Sequence, residues 1–254
     1  MVLAVDIGNT NIVVSSFRGD EILFTERLST EHLSTELEYT VLLRTVLELN
    51  GLKFSDFEGC IISSVVPPVT QTLREALLRS IGREPLIVGA GIKTGLRIMI
   101  DNPAALGSDR VADAVAAAHY YPAPVITVDM GTATTISVVD KSKTFLGGLI
   151  IPGVRVALDS LSSKAAQLPA ISLEPAKKII ATNTVDCMKS GIIYSTASAI
   201  DGVTARIEEE LGMPCTVVAT GGNAGRIVPF CKREIILDEM LLLKGLMLIY
   251  HKNR

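Results

Sequence analysis

The segment VDIGNTNIVVSSF, starting at Val5, returns in outline as VDMGTATTISVVD, starting at Val128. Each copy has an apolar run entering an Asp, one apolar residue, a Gly, a cluster of Thr or Asn, and a β-branched run leaving. The run VLAVD is short, apolar and rich in β-branched residues, so it reads as a buried strand, and NIVVSSF beyond the Gly-centred turn reads as its hairpin partner. A chain that builds the same hairpin twice is expected to consist of two lobes of similar topology facing each other. We place the division after residue 117, so that 1–117 carry the first hairpin and 118–254 the second.

The connecting segments fit such lobes. Thr35 and Glu38 form a capping-box pair ahead of an apolar-periodic stretch from Leu37 to Leu49, and Gly51 stands where a C′ glycine would. GCIISSVV reads as a buried strand stopped by Pro67 and Pro68, followed by a helix through TQTLREALLRSIG and a strand at PLIVGA. GSDRVADAVAAAHYY reads as a helix entered from a loop at Asp101 to Gly107 and halted by Pro122 and Pro124. After the second hairpin we expect a strand around FLGGLIIPG, a helix from about Val154 to Gln167 and a long helix from about Asp186 to Leu211. The strand CTVVAT then runs into Gly221 and Gly222, and the chain closes on an apolar helix, MLLLKGLMLIYHK. Strands alternating with helices in both halves predict an α/β fold with mixed sheets flanked by helices.

With 254 residues, 48% hydrophobic and 20% charged, the chain can bury one large core or two modest ones, which excludes a disordered or collagen-like protein. The formal net charge is −3 with both signs interspersed, so nucleic acid is not an expected partner. No apolar run approaches the roughly 20 residues of a spanning helix. The start, MVLAVDIGNTN, lacks the basic region of a signal peptide, so we expect a cytoplasmic protein without a membrane partner. Cys60, Cys187, Cys215 and Cys231 form no CxxC pair, and with three histidines no zinc cluster suggests itself; buried free thiols are expected.

A D-x-G-N-T turn straight after a buried strand offers backbone N–H groups from Gly8 to Asn11, with hydroxyl and amide side chains, to phosphate oxygens. Asp6 beside them would be repelled by phosphate, but it suits a direct or water-mediated hold on Mg²⁺. One such turn is equally an ordinary Gly-centred hairpin; two of them are what a phosphate-clamping cleft requires. Neither a GxxxxGK[ST] loop nor a GxGxxG fingerprint occurs, so P-loop and dinucleotide-binding readings fall away. In the second hairpin Asp129, Gly131, Thr132, Thr134 and Thr135 suit the distal phosphates of a nucleotide. Gly221 and Gly222 would let an adenine or ribose approach the backbone, though a plain loop explains them as well. Asp109 could accept a proton from an attacking hydroxyl and Arg110 could hold a carboxylate; alternatively Asp109 caps the helix and Arg110 is solvated. His119 fits a helix surface or a packed seam. Of Thr182, Asn183 and Thr184, capping of the long helix explains one.

Together, Asp6 to Thr10, Asp101-Asn102-Pro103 with Gly107 to Arg110, Asp129 to Thr135, Gly147 to Gly153 and Thr182 to Thr184 resemble the motifs of type III pantothenate kinases, in order and spacing across nearly the whole chain. The resemblance implies a two-lobed, actin-like fold of ribonuclease H-like repeats, as in sugar kinases and heat-shock ATPases. It implies a homodimer that uses ATP to phosphorylate pantothenate to 4′-phosphopantothenate, the first step towards coenzyme A. It further implies Asp109 as general base, and Asp6, Ile7, Gly8, Asn9, Thr10, Asn11, Ile12, Val13 and Thr132 as nucleotide contacts. Gly107, Ser108, Asp109, Arg110 and Thr184 are then pantothenate contacts. Asp129 becomes a ligand of a monovalent cation, K⁺ or NH4⁺, while Asp6 keeps Mg²⁺. Two departures stand out: Ile100 where relatives often have Tyr, and Ser108 where they commonly have Ala. Another phosphotransferase or a phosphatase of the same superfold, and a catalytically silent regulatory protein, are the alternative readings.

Overall fold

The computed structural model describes residues 1–175 and 178–254. In chain order the elements are β1 (Val2–Ile7), β2 (Asn11–Arg18), β3 (Glu21–Ser29), α1 (Glu36–Leu49), β4 (Gly59–Ser64), α2 (Pro67–Ile81), β5 (Leu86–Ile87), β6 (Arg97–Ile98) and α3 (Ser108–Tyr120). They continue as β7 (Val125–Met130), β8 (Ala133–Val139), β9 (Thr144–Pro152), α4 (Val154–Lys164), α5 (Thr184–Leu211), β10 (Thr216–Thr220), α6 (Ala224–Ile227), β11 (Ile236–Leu237) and α7 (Leu241–Lys252).

The chain forms two compact units, one of Met1–Gly95, Asp101–Ala116 and Leu242–Arg254, the other of Leu96–Ile100 and Ala117–Leu241. In the first, the sheet order is β3-β2-β1-β4-β5. β2 lies antiparallel to β1 and β3, while β4 lies parallel to β1 and β5. β1 is covered on both faces, so every residue of it but Asp6 is apolar and buried. Tyr39, Leu43 and Leu47 of α1 and Val69, Leu73 and Leu77 of α2 join Leu3, Val5 and Ile7 in one core. Burying each such large side chain contributes about 1.5–3 kcal/mol, which fixes the register of β1, because a one-residue slip would turn Asp6 inward.

The second unit repeats this plan. Its sheet runs β11-β10-β7-β8-β9-β6, the same arrangement of five strands with β6 added beside the third. β7 has the same burial pattern as β1, with Asp129 in the place of Asp6 as the half-buried exception. Two ribonuclease H-like repeats of mixed sheet and helix are therefore present, the architecture expected from the sequence repeat.

Some elements differ from expectation for local physical reasons. Pro67 and Pro68 do stop β4, but they also form the first turn of α2, where a missing N–H is no loss. β3, which periodicity did not announce, is a half-exposed edge strand entered through Gly19 at φ 60°. The closing helix α7 belongs almost wholly to the first unit, although it lies beyond residue 118 in the sequence. Gly245 is the reason: a Cβ there would collide with the backbone of Ala112, so only glycine lets α7 lie this close to α3. All four cysteines are free, yet only Cys60 is buried; Cys187 is exposed, and Cys215 and Cys231 are intermediate. Burial pushes the Cys60 thiol up to about 12. Among the described residues no helix is long and apolar enough to cross a membrane.

Candidate active site

In the first unit, the β1–β2 hairpin closes with Ile7 opposite Ile12 and the Gly8 N–H donating to the Asn11 carbonyl at 3.0 Å. The loop Gly8–Asn11 holds one residue more than the corresponding Gly131–Ala133 loop, where Met130 stands opposite Thr134 and the Gly131 N–H donates to Ala133 at 3.0 Å. The two motifs are thus equivalent up to the glycine and offset by one residue beyond it. Asn9, Thr10 and Asn11 are exposed, whereas Ile7 and Ile12 are fully buried. Of the expected nucleotide contacts, Ile7 and Ile12 can therefore offer main-chain atoms only.

The loop before α3 comes to the same end of this sheet. Asp6 is paired across the ladder with Ser63, and Ile7 with Ser64. Ser108, 6% exposed, accepts from the Ser64 N–H at 2.8 Å, donates to the Ser64 carbonyl at 2.9 Å, and lies 3.1 Å from the Ser63 hydroxyl. Its hydroxyl is thereby bonded to β4. The Ser64 hydroxyl in turn accepts from Thr70 at 2.6 Å and from the Val66 N–H at 3.0 Å, which joins the starts of α2 and α3 to the end of β4. Neither Ser63 nor Ser64 was a sequence candidate; the sequence signal is two serines closing an apolar strand.

Asp109 stands in the first turn of α3. Burial raises its carboxyl above the usual aspartate range, against the opposing effects of the Arg110 N–H, which donates to Oδ1 at 2.7 Å, and of the Arg110 charge. A Cβ on Gly107 would overlap that same Oδ1, so the glycine makes room for the carboxylate. Burial lowers the Arg110 guanidinium from its usual range, with Asp109 opposing. Asp109 does not cap α3 in the ordinary sense, because its carboxylate bonds the next residue's N–H rather than one a turn further on.

In the second unit Thr132 is exposed and Thr135 half-buried, but Thr134 is fully buried, which removes it from the hydroxyls that could meet a phosphate. Gly221, at φ +90°, packs on Asp129: a Cβ would overlap Asp129 Oδ1 and come within 2.7 Å of the Met130 nitrogen. Gly222, next to Gly221, is exposed. Asn223 donates its N–H and its amide to the Met130 carbonyl at 3.2 and 3.3 Å, a second tie between β10 and the hairpin. In the Gly147 to Gly153 motif, a Cβ at Gly148 would run into the Ile136 carbonyl and one at Gly153 into the carbonyls of Gly131 and Thr132. Asn183 is the N-cap of α5, accepting from the Asp186 N–H at 2.9 Å, and Thr184 is exposed at the first helical position. His119 lies exposed at the end of α3, edge-on to Tyr120 at 4.7 Å. Among the described residues no three His, Cys, Asp or Glu side chains cluster as a metal site would require.

Two repeats of this topology, each with an Asp-Gly hairpin, define a member of the actin-like kinase fold. A ROK family glucokinase from Streptomyces griseus, solved with glucose and AMPPNP, shares it with a TM-score of 0.51 at 14% identity over 100% of this chain and 99% of that one. A Campylobacter jejuni protein assigned to the Baf family of transcriptional activators superposes with a TM-score of 0.63 at 20% identity, covering 99% and 98% of the two chains. The family model of type III pantothenate kinase matches residues 2–206, and a type III pantothenate kinase from Moorella thermoacetica is 40% identical over 253 residues, covering 100% of both chains. The chain belongs to the type III pantothenate kinase family.

Proposed function

We propose that this chain transfers the γ-phosphoryl group of ATP to the 4′ hydroxyl of pantothenate, with Asp109 as the general base. The observation that carries the reading is the Asp109 carboxylate, half-buried at the start of α3, with Gly107 stripped of a side chain beside it and its proton affinity raised by burial. A carboxyl so tuned is better matched to taking a proton from an alcohol than an exposed aspartate is. Arg110, one residue on, suits the pantothenate carboxylate, and the main chain of Gly107 and Ser108 with exposed Thr184 completes the proposed substrate contacts.

Asp6 to Val13 and Thr132 are the proposed nucleotide contacts. Asp6, half-buried and paired with Ser63, offers an all-oxygen setting that fits Mg²⁺ held mainly by water and phosphate. Asp129, half-buried beneath Gly221, is the proposed ligand of K⁺ or NH4⁺. When bound, such ions neutralise charge on the phosphoryl group in flight; the protein's own part is to align that group with the alcohol and to receive its proton. We place the enzyme in the cytoplasm as a homodimer. In the second unit Ile150, Val156, Leu161, Ile179 and Ile180 are each more than 40% accessible, and large apolar side chains left this exposed support a second copy as their cover.

The test is ADP release from ATP and Mg²⁺, with and without pantothenate, in K⁺ and then Na⁺ buffer. Pantothenate-dependent turnover that rises with K⁺ is expected. No turnover with pantothenate under any cation would sink the reading.

A further inference from the structure

In both repeats, the residue that follows the third strand reaches back to the hairpin turn. Thr30, just past β3, donates its N–H to the Thr10 carbonyl at 3.1 Å; Gly153, just past β9, donates its N–H to the Thr132 carbonyl at 3.1 Å. The second turn lies so close to Gly153 that no side chain fits there. The first leaves room for one, and the Thr30 hydroxyl uses it to donate to the Gly8 carbonyl at 2.7 Å.

From this we infer that Thr30 is a positioning residue for the nucleotide, holding the Gly8–Asn9 peptide so that its carbonyl faces β3 and its N–H faces away. The peptide unit is planar and trans, so fixing the carbonyl of Gly8 fixes the N–H of Asn9 on the opposite side. A turn binds an anion through its N–H groups and repels it through any carbonyl that swings round. The carbonyls of Gly8, Thr10 and Asn11 each have a protein donor, from the Thr30 hydroxyl, the Thr30 N–H and the Gly8 N–H. The hydroxyl is the one contribution a side-chain change can remove while the main-chain bonds stay. The inference rests on the proposal that this turn takes the nucleotide.

The experiment compares Thr30→Val, which keeps the shape and loses the hydroxyl, with Thr30→Ser, which keeps the hydroxyl. Losing one neutral hydrogen bond at the turn is expected to raise the KM for ATP, and the Kd of Mg-ATP by calorimetry, about threefold to tenfold. The KM for pantothenate should stay at the wild-type value, and Thr30→Ser should restore the nucleotide constants. Wild-type nucleotide constants in Thr30→Val, an equal rise in both KM values, or a serine variant no better than valine would each overturn the inference. Should Thr30→Val not fold, the same comparison is made with Thr30→Ala. Hydrogen exchange of wild-type residues 6–13 separates the two levels. No protection by Mg-ATP removes the nucleotide from this turn altogether, whereas protection alongside unchanged constants in Thr30→Val removes only the role of Thr30.

Discussion

Gly107 and Asp109 share one small volume: a methyl group on Gly107 would occupy the place of Asp109 Oδ1. Gly107 is not in the left-handed region, so alanine is allowed by the backbone and the collision falls on the free end of the aspartate. Gly107→Ala should therefore fold with little change in Tm while its carboxylate is displaced. A displacement near 1 Å at a reacting group costs about 10²-fold, so we expect kcat to fall by roughly that factor with the KM for ATP unchanged. Steady-state kinetics beside a thermal melt checks this; a wild-type kcat would mean that the carboxylate position is immaterial.

Asp109→Asn should lower kcat by about 10²- to 10⁴-fold, the usual worth of a general base. The base works ionised, so the acid limb of the wild-type kcat profile should lie above the ordinary aspartate value of about 3.9. The stability effect has the opposite sense. A carboxyl whose pKa is raised by folding stabilises the fold only below its unfolded pKa, and that contribution is lost as pH rises through the folded value. The asparagine variant should thus melt higher than wild type at neutral pH, with the gap closing as pH falls into the aspartate range. Melting curves across pH decide it, and a variant less stable at pH 7 would contradict the burial account.

Ser108→Ala deletes a hydroxyl that satisfies both the N–H and the carbonyl of Ser64. Buried groups left without partners cost about 1–3 kcal/mol, so urea unfolding should show a loss of that size. Nucleotide KM should not move, because the hydroxyl faces β4. An alanine variant of unchanged stability would show that water replaces the serine without loss.

Much of this was legible in the linear order of residues, for reasons that are local. The capping box at Thr35 and Glu38 is present with the Glu38 carboxylate accepting from the Thr35 N–H at 2.7 Å, because both partners lie within one turn. Gly51 indeed follows α1 at φ 70°. The Asp-Gly hairpins were visible because strand, turn and strand are contiguous. β3 was missed because Glu21, Glu26, Arg27 and Ser29 are exposed and polar or charged, so the apolar alternation is weak. Thr30 was missed because its partners lie 20 and more positions away, and the one-residue offset between the hairpins because equivalent positions are set by ladder pairing, not by counting letters.

The sequence by itself determined the repeat, the order of most strands and helices, and the placing of Asp6 and Asp129 at the ends of apolar runs and of Asp109 at the start of a helix, since these follow from periodicity, turn chemistry and local capping. Only the tertiary structure decided that Ser108 serves β4, that Gly221 serves Asp129, that Thr134 is buried, and that α7 returns to the first unit on Gly245. Those outcomes depend on which backbones approach within van der Waals distance. No propensity of the residues alone encodes that distance; it arises when two cores pack to full density and each glycine, hydroxyl or carboxylate takes whatever space and partner the packing leaves.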